Sequence, residues 1–281
     1  MTSLTLTKHH GLGNDFLVVF HPAVDDLAAL ARQLCDRRRG IGADGMLVAE
    51  SAEGYAARMT LFNADGSRAE MSGNGIRCFA QALAARRGDL ADQLILTDAG
   101  ERLVTLQATE DPATVSARVE MGDVSRLEEP EGWAALGCHP DRPVAHLSLG
   151  NPHSVVGVDD VTVVDLATLG GQVPHVNLEI IEPGPEPDAV TMRVHERGAG
   201  ITEACGTGAC AAAYAARSWG LVAAGGGEVV VHMDGGTATV SFTADAPTRA
   251  ILTGPATHVA TITVSLDTEI AAETNDGAGG R

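Results

Sequence analysis

Two short strings each place a candidate proton-transfer group at what reads as the first turn of a helix. Ser72-Gly73-Asn74-Gly75 precedes the alanine-rich segment Ile76 to Arg87, and Cys205-Gly206-Thr207-Gly208 precedes Ala209 to Trp219. Glycines at a helix start let the backbone come close to a ligand, and the unpaired N–H groups there attract an anion. A thiol at that position also meets the positive end of the helix dipole, which is expected to lower its pKa and favour the thiolate. Two such sites facing one another could hold a single carboxylate, with Ser72 and Cys205 flanking the adjacent carbon. A two-base racemase needs that geometry: one group removes the α-proton and the other returns it on the opposite face.

The polar segments ahead of these helices carry further candidates. Asn63 and Glu196 each fall nine residues before Ser72 and Cys205 respectively. The string Asn63-Ala64-Asp65-Gly66 also suits a plain turn. Arg197 stands beside a Gly-rich loop, where a guanidinium suits bidentate carboxylate binding. Glu196 is either part of the chemistry or an ion-pair partner for Arg197. Gly150-Asn151-Pro152-His153 offers a turn, an amide and an imidazole, and a histidine near a thiol could tune it or relay a proton. Cys35, Cys78, Cys138 and Cys210 read as buried packing residues, as most free cysteines are.

The elements that must position these groups show an internal repeat. Ser72 and Cys205 lie 133 residues apart, and Gly13-Asn14 and Gly150-Asn151 lie 137 apart in the same order. Both helical segments end near a glycine, Gly88 and Gly220. Around them the pattern is short strands. In the first half these are Leu4–Lys8, Phe16–Phe20, Met46–Glu50, Arg58–Phe62, Leu94–Thr97, Leu103–Ala108 and Val115–Met121. The second half offers Val144–Leu149, Val155–Val158, Asn177–Ile181, Ala189–His195, Glu228–His232, Thr237–Phe242 and Arg249–Leu252. Val24 to Asp36 and Leu166 to Gly170 read as helices, Asp234-Gly235-Gly236 as a hairpin turn, and Glu269 to Arg281 as a disordered tail.

Composition narrows the function classes. The chain has 281 residues, enough for two domains. Apolar residues make up 44% and charged residues 20%, which is ordinary for a soluble globular protein. Nineteen basic against 37 acidic residues give a formal charge of −18, the wrong sign for a phosphate-binding face. No nucleic-acid partner is expected. No apolar run approaches the roughly 20 residues that span a bilayer, so no membrane is expected either. Met1 to Lys8 lack a basic segment followed by a long apolar stretch, so no signal peptide is expected. Five scattered cysteines fit free thiols in a reducing cytoplasm and give neither a disulfide framework nor a zinc pattern.

Seven strings in order give a family resemblance. They are His10 to Phe16, Gly40 to Gly45, Phe62 to Ser67, Gly73-Asn74-Gly75, Gly150 to His153, Glu196-Arg197-Gly198 and Cys205 to Gly208. Together, from about residue 8 to about 265, they resemble diaminopimelate epimerase. The resemblance implies an α/β (α+β) fold of two pseudo-symmetric domains, each a β-barrel-like sheet around a central helix, with the active site in the cleft between them. The expected division is 1–120 plus 255–266, where the last strand returns, and 121–254, followed by a tail over 267–281. It implies interconversion of LL- and meso-2,6-diaminopimelate, without pyridoxal phosphate or metal, by a possible homodimer. Cys205 is then one catalytic base, tuned by His153 and Glu196. Asn14, Asn63, Asn74, Asn151, Asn177, Glu196 and Arg197 become substrate contacts, and the backbones of Gly73, Gly206 and Thr207 the carboxylate cradle.

One departure matters. Ser72 stands where the family has a second cysteine, and a hydroxyl is far less acidic than a thiol, whose reference pKa is about 8.5. Gly45, where many relatives carry a substrate-contacting glutamine, is a smaller one. An epimerase with a weaker second group, a racemase or dehydratase of another amino acid, and a binding protein that has lost turnover all remain open at this point.

Overall fold

The computed structural model describes residues 2–222 and 227–266; the tail expected over 267–281 lies outside them. The first half runs β1 (Thr2–Gly11), β2 (Asn14–Phe20), α1 (Leu27–Cys35), β3 (Gly45–Glu50), β4 (Ala57–Asn63), β5 (Arg68–Ala69), α2 (Gly73–Arg87), β6 (Gln93–Thr97), β7 (Gly100–Ala108) and β8 (Thr114–Asp123). A two-residue strand, β9 (Ser125–Arg126), follows. The same order then returns as β10 (Val144–Ser148), β11 (Pro152–Gly157), α3 (Leu166–Gln172), β12 (Asn177–Pro183), β13 (Ala189–Glu196) and β14 (Gly200–Thr202). It closes with α4 (Gly206–Trp219), β15 (Glu228–Met233), β16 (Gly236–Phe242) and β17 (Arg249–Leu266). The duplication read from two glycine-containing strings is therefore a repeat of the whole element order.

Each half closes into a ring. The first is β1-β2-β3-β4-β6-β7-β8-β17 and back to β1. The second is β10-β11-β12-β13-β15-β16-β17-β8, closing through β9 onto β10. The antiparallel pair β8–β17, from Arg249 opposite Asp123 to Thr257 opposite Thr114, is shared by both rings. Closure leaves no sheet edge within a ring and encloses one helix in each. We propose 1–120 plus 255–266 and 121–254 as the two halves, a division that runs along this shared seam.

Enclosure explains the composition of the central helices. In α2 every residue from Gly73 to Ala84 is buried, and in α4 every residue from Gly206 to Ala213. A helix surrounded by sheet has no polar face, and small side chains let the strands close around it. Arg77 is the charged exception. Its fully buried guanidinium donates to the Pro255 carbonyl (3.2 Å), the Gly73 carbonyl (3.0 Å) and Asn74 Oδ1 (2.7 Å). Burial pulls its pKa down to about 10, so it remains a cation at neutral pH. Among the described residues it pairs with no carboxylate.

Two differences from the sequence reading have a plain physical cause. Helix α1 starts at Leu27 and not at Val24, because Asp26 caps it by accepting the Ala29 N–H at 2.8 Å. The expected strands Arg249–Leu252 and Pro255–Leu266 are one continuous strand, β17. A proline normally argues against a strand interior. Pro255 is tolerated because β16 pairs with residues 250–253 and β1 with residues from 257, so the missing N–H falls between the two partners.

One buried group gives a pH signature. His9 is held by Gln81 (Nδ1, 2.8 Å) and Thr7 (Nε2, 2.9 Å), and burial lowers its pKa to about 4. Folding thus favours the neutral ring, so its contribution is present above the unfolded value near 6.5 and is lost as pH falls from there through about 4. Urea unfolding at pH 7 and pH 4.5 should show an acid loss for the native chain up to about 3 kcal/mol larger than for His9→Gln. Equal losses in the two proteins would show that His9 is not the titrating group.

Candidate active site

The two helix starts are built alike and touch. Ser72 caps α2 in extended backbone (φ −137°, ψ 123°), its Oγ accepting the Gly75 N–H at 3.0 Å. Cys205 caps α4 in nearly the same conformation (φ −126°, ψ 116°), its Sγ accepting the Gly208 N–H at 3.3 Å. A Cβ on Gly206 would lie 2.8 Å from Gly73 Cα, and one on Gly73 would lie 2.9 Å from Gly206 Cα. Asn74 Nδ2 crosses the junction to the Ala204 carbonyl at 2.9 Å and also reaches Asn14 Oδ1 at 3.3 Å. Two positive helix ends therefore point at one place, an arrangement that favours an anion.

Cys205 is 4% exposed, and its thiol is pushed well above the usual thiol range. Burial is the main cause, followed by the carboxylates of Glu196 and Glu179; the Thr207 hydroxyl (3.5 Å) and the Gly208 N–H pull the other way. The expectation that the helix dipole leaves a resting thiolate is thus corrected: desolvation and two carboxylates outweigh it. Buried Cys78 and Cys210 are also pushed up, to about 12, so acidity does not mark Cys205 out. Its neighbours do. Glu196 lies beside the thiol, its carboxyl raised by burial and held by the Thr202 hydroxyl at 2.6 Å. Glu196 is not the ion-pair partner of Arg197; that guanidinium reaches Glu70 at 3.7 Å.

His153 does not touch the sulfur. Its Nε2 meets Asn151 Oδ1 at 3.0 Å, and its Nδ1 meets Glu179 Oε1 at 2.6 Å, both His153 and Glu179 being fully buried. Asn151 Nδ2 donates in turn to Thr207 Oγ1 at 3.2 Å. The histidine thus reaches Cys205 through two residues.

A cavity of about 870 Å³ opens beside the junction. Of the expected site residues, Asn14, Asn63, Ser72, Asn151, Asn177, Glu196 and Arg197 line it. Cys205, His153, Gly73, Asn74, Gly206 and Thr207 do not, and all six are buried. Asn74 spends its amide on the helix junction, and Asn177 receives the Arg197 backbone N–H at 2.8 Å. The lining carries both signs, with Arg37, Arg68 and Arg197 against Asp44, Asp65, Glu70, Glu196 and Glu203.

Comparison with known proteins fits this geometry. The family described as diaminopimelate epimerase matches residues 6–127 and 146–259, which include both helix starts. The diaminopimelate epimerase of Geobacillus kaustophilus is 37% identical over 93% of this chain and 96% of its own. That of Halothermothrix orenii is 36% identical over 92% and 96%. The chain belongs to the diaminopimelate epimerase family. Solved structures share its fold: one titled a "Predicted Epimerase", from Pseudomonas aeruginosa, superposes with TM-score 0.73 at 15% identity, covering 94% of this chain and 100% of that one. A hydroxyproline epimerase from Agrobacterium vitis gives 0.68 at 16% identity, covering 97% and 98%.

Within this family member the sequence reading missed Glu179, Asp44, Thr202 and Arg77. Glu179 left a signal, a lone acid within the apolar run Leu178 to Ile181. Asp44 fixes Asn14 by accepting its Nδ2 at 2.7 Å, and is fixed by Arg37 at 2.6 Å. The helix contact itself is testable. Gly206→Ala should lower unfolding stability by about 1–3 kcal/mol, because its methyl meets backbone that cannot move aside. An unchanged urea midpoint would show that the helix starts are not in contact.

Proposed function

We propose that the protein interconverts LL- and meso-diaminopimelate by removing and returning the α-proton, with Cys205 as the main acid–base group. The observation that carries the reading is the thiol of Cys205, capping one of two abutting helix starts with Glu196 as its neighbour. The substrate's α-carboxylate seats against the helix N–H groups. The same positive ends stabilise the charge that spreads onto that carboxylate once the α-proton leaves. As the sulfur takes the α-proton, its own proton passes to Glu196, which Thr202 holds in place. Arg197, Asn63 and Asn177 serve the distal carboxylate and amine. Thiol and carboxylate supply the acid–base chemistry, so the reading calls on neither pyridoxal phosphate nor metal. A cytoplasmic homodimer is part of the proposal on the family resemblance alone.

Ser72 serves the opposite face as proton donor. Among the described residues its hydroxyl is held by the Gly75 N–H and by no carboxylate or imidazole. That favours one second reading, a protein that exchanges the α-proton at one face with little net epimerisation.

Cys205→Ala should reduce conversion of LL-diaminopimelate by about a thousandfold or more, as losing a proton-transfer group does. Its thermal midpoint should stay within a few degrees. Near-native turnover in the variant would remove Cys205 from the mechanism.

A further inference from the structure

An unbroken hydrogen-bond chain joins Glu179 to Cys205. Its contacts are Glu179 Oε1 to His153 Nδ1 (2.6 Å), His153 Nε2 to Asn151 Oδ1 (3.0 Å), Asn151 Nδ2 to Thr207 Oγ1 (3.2 Å) and Thr207 Oγ1 to Cys205 Sγ (3.5 Å). Direction along such a chain is set by which atoms can donate. Asn151 Oδ1 accepts, so His153 Nε2 carries hydrogen. Asn151 Nδ2 donates to a lone pair of Thr207, which frees the threonine hydrogen for the sulfur. At 2.6 Å a proton must also lie between His153 Nδ1 and Glu179 Oε1. The pair therefore holds two protons and no net charge, whichever atom carries the shared one.

We propose that Glu179 is a positioning residue for Cys205: the proton it shares with His153 aims every donor in the chain toward the sulfur. The proposal rests on the reading of Cys205 as the acid–base group. Without that proton, His153 would turn Nδ1–H to the carboxylate and leave Nε2 bare. The Asn151 amide would then have to rotate, Thr207 would donate to Asn151, and the sulfur would lose a donor. With the proton in place, Thr207 joins the Gly208 N–H (3.3 Å) in stabilising the thiolate as it forms. Burial raises the affinity of Glu179 for its proton, and among the described residues its Oε2 has no partner that would favour the ionised form.

The barrel itself does not require this unit. Strand pairing matches His153 opposite Asn177 with Phe16 opposite Gly45, so Phe16 stands for His153 and Leu47 for Glu179. A Cβ on Gly75 would meet Leu47 where one on Gly208 would meet Glu179. Asn14 turns its Nδ2 back to Asp44 and offers Oδ1 toward Asn74, the reverse of Asn151. The donor chain is present in the half that carries the thiol.

Two substitutions separate direction from mere packing. Glu179→Gln still donates to His153 Nδ1 and should keep kcat and KM within about threefold of native. Glu179→Leu should lower kcat about 10- to 100-fold, the range carried by a hydrogen bond to a charged group, and change KM much less. Nitrogen-15 NMR, with the His153 signals identified by their loss in His153→Asn, should show Nε2–H in the native protein and in Glu179→Gln. That readout needs no substrate, so it stands even if diaminopimelate proves the wrong one. A bare Nε2 in the native protein, or equal impairment in Glu179→Gln and Glu179→Leu, would overturn the proposal.

Discussion

The centre of the molecule is governed by a steric fact: the backbones of Gly73 and Gly206 are in contact. Any side chain there would separate the helices, and Leu252 of β17 packs within 3.0 Å of where a Cβ would stand on either residue. Because the contact is at the N-terminal ends, two helix dipoles converge with their positive ends together. That arrangement repels itself unless an anion or a compensating framework is present. The framework is the shared β8–β17 seam and the Asn74 bridge to Ala204, which hold the helices in place. Arg77 adds a further buried positive charge behind the seat and locks Asn74 from the rear. The favourable folding of the barrels thus maintains an electrostatically poised site.

Upon this nearly symmetric backbone the chemistry is not symmetric. Ser72 and Cys205 have matching dihedrals and the same capping contact, yet their surroundings diverge. The positions that hold Glu196, His153 and Glu179 around the thiol hold Asn63, Phe16 and Leu47 around the hydroxyl. A thiol in a dry pocket beside Glu196 is protonated at rest, and on the proposed reading it gives up that proton to Glu196 as it takes one from the substrate. A hydroxyl with no base beside it can donate but is poorly equipped to abstract. On the proposed reading, the two faces of the substrate therefore meet groups of unequal strength.

Much of this was legible in the sequence because local chemistry and global fold agree there. The glycines after Ser72 and Cys205, the alanine runs and the terminal Gly88 and Gly220 announced both central helices, and the paired strings announced the duplication. Ring closure was not legible from spacing, since β8 and β17 each serve two barrels and long-range pairing leaves no local pattern. Pro255 even argued against the continuous strand. The acidity of Cys205 was misjudged because the dipole can be read from a helix start, whereas burial and the approach of Glu179 exist only in three dimensions. Arg77 and Asp44 are ordinary in sequence and gain meaning from the asparagines that they orient.

The most direct test of this asymmetry is to follow deuterium wash-in and conversion together in D₂O, from LL- and from meso-diaminopimelate, for the native protein and Ser72→Cys. For the diastereomer that presents its α-proton to Cys205, exchange should outpace conversion in the native protein. Ser72→Cys should raise conversion toward the exchange rate and leave the exchange itself nearly unchanged. Equal rates of exchange and conversion from both diastereomers, with no gain from the cysteine, would contradict the account.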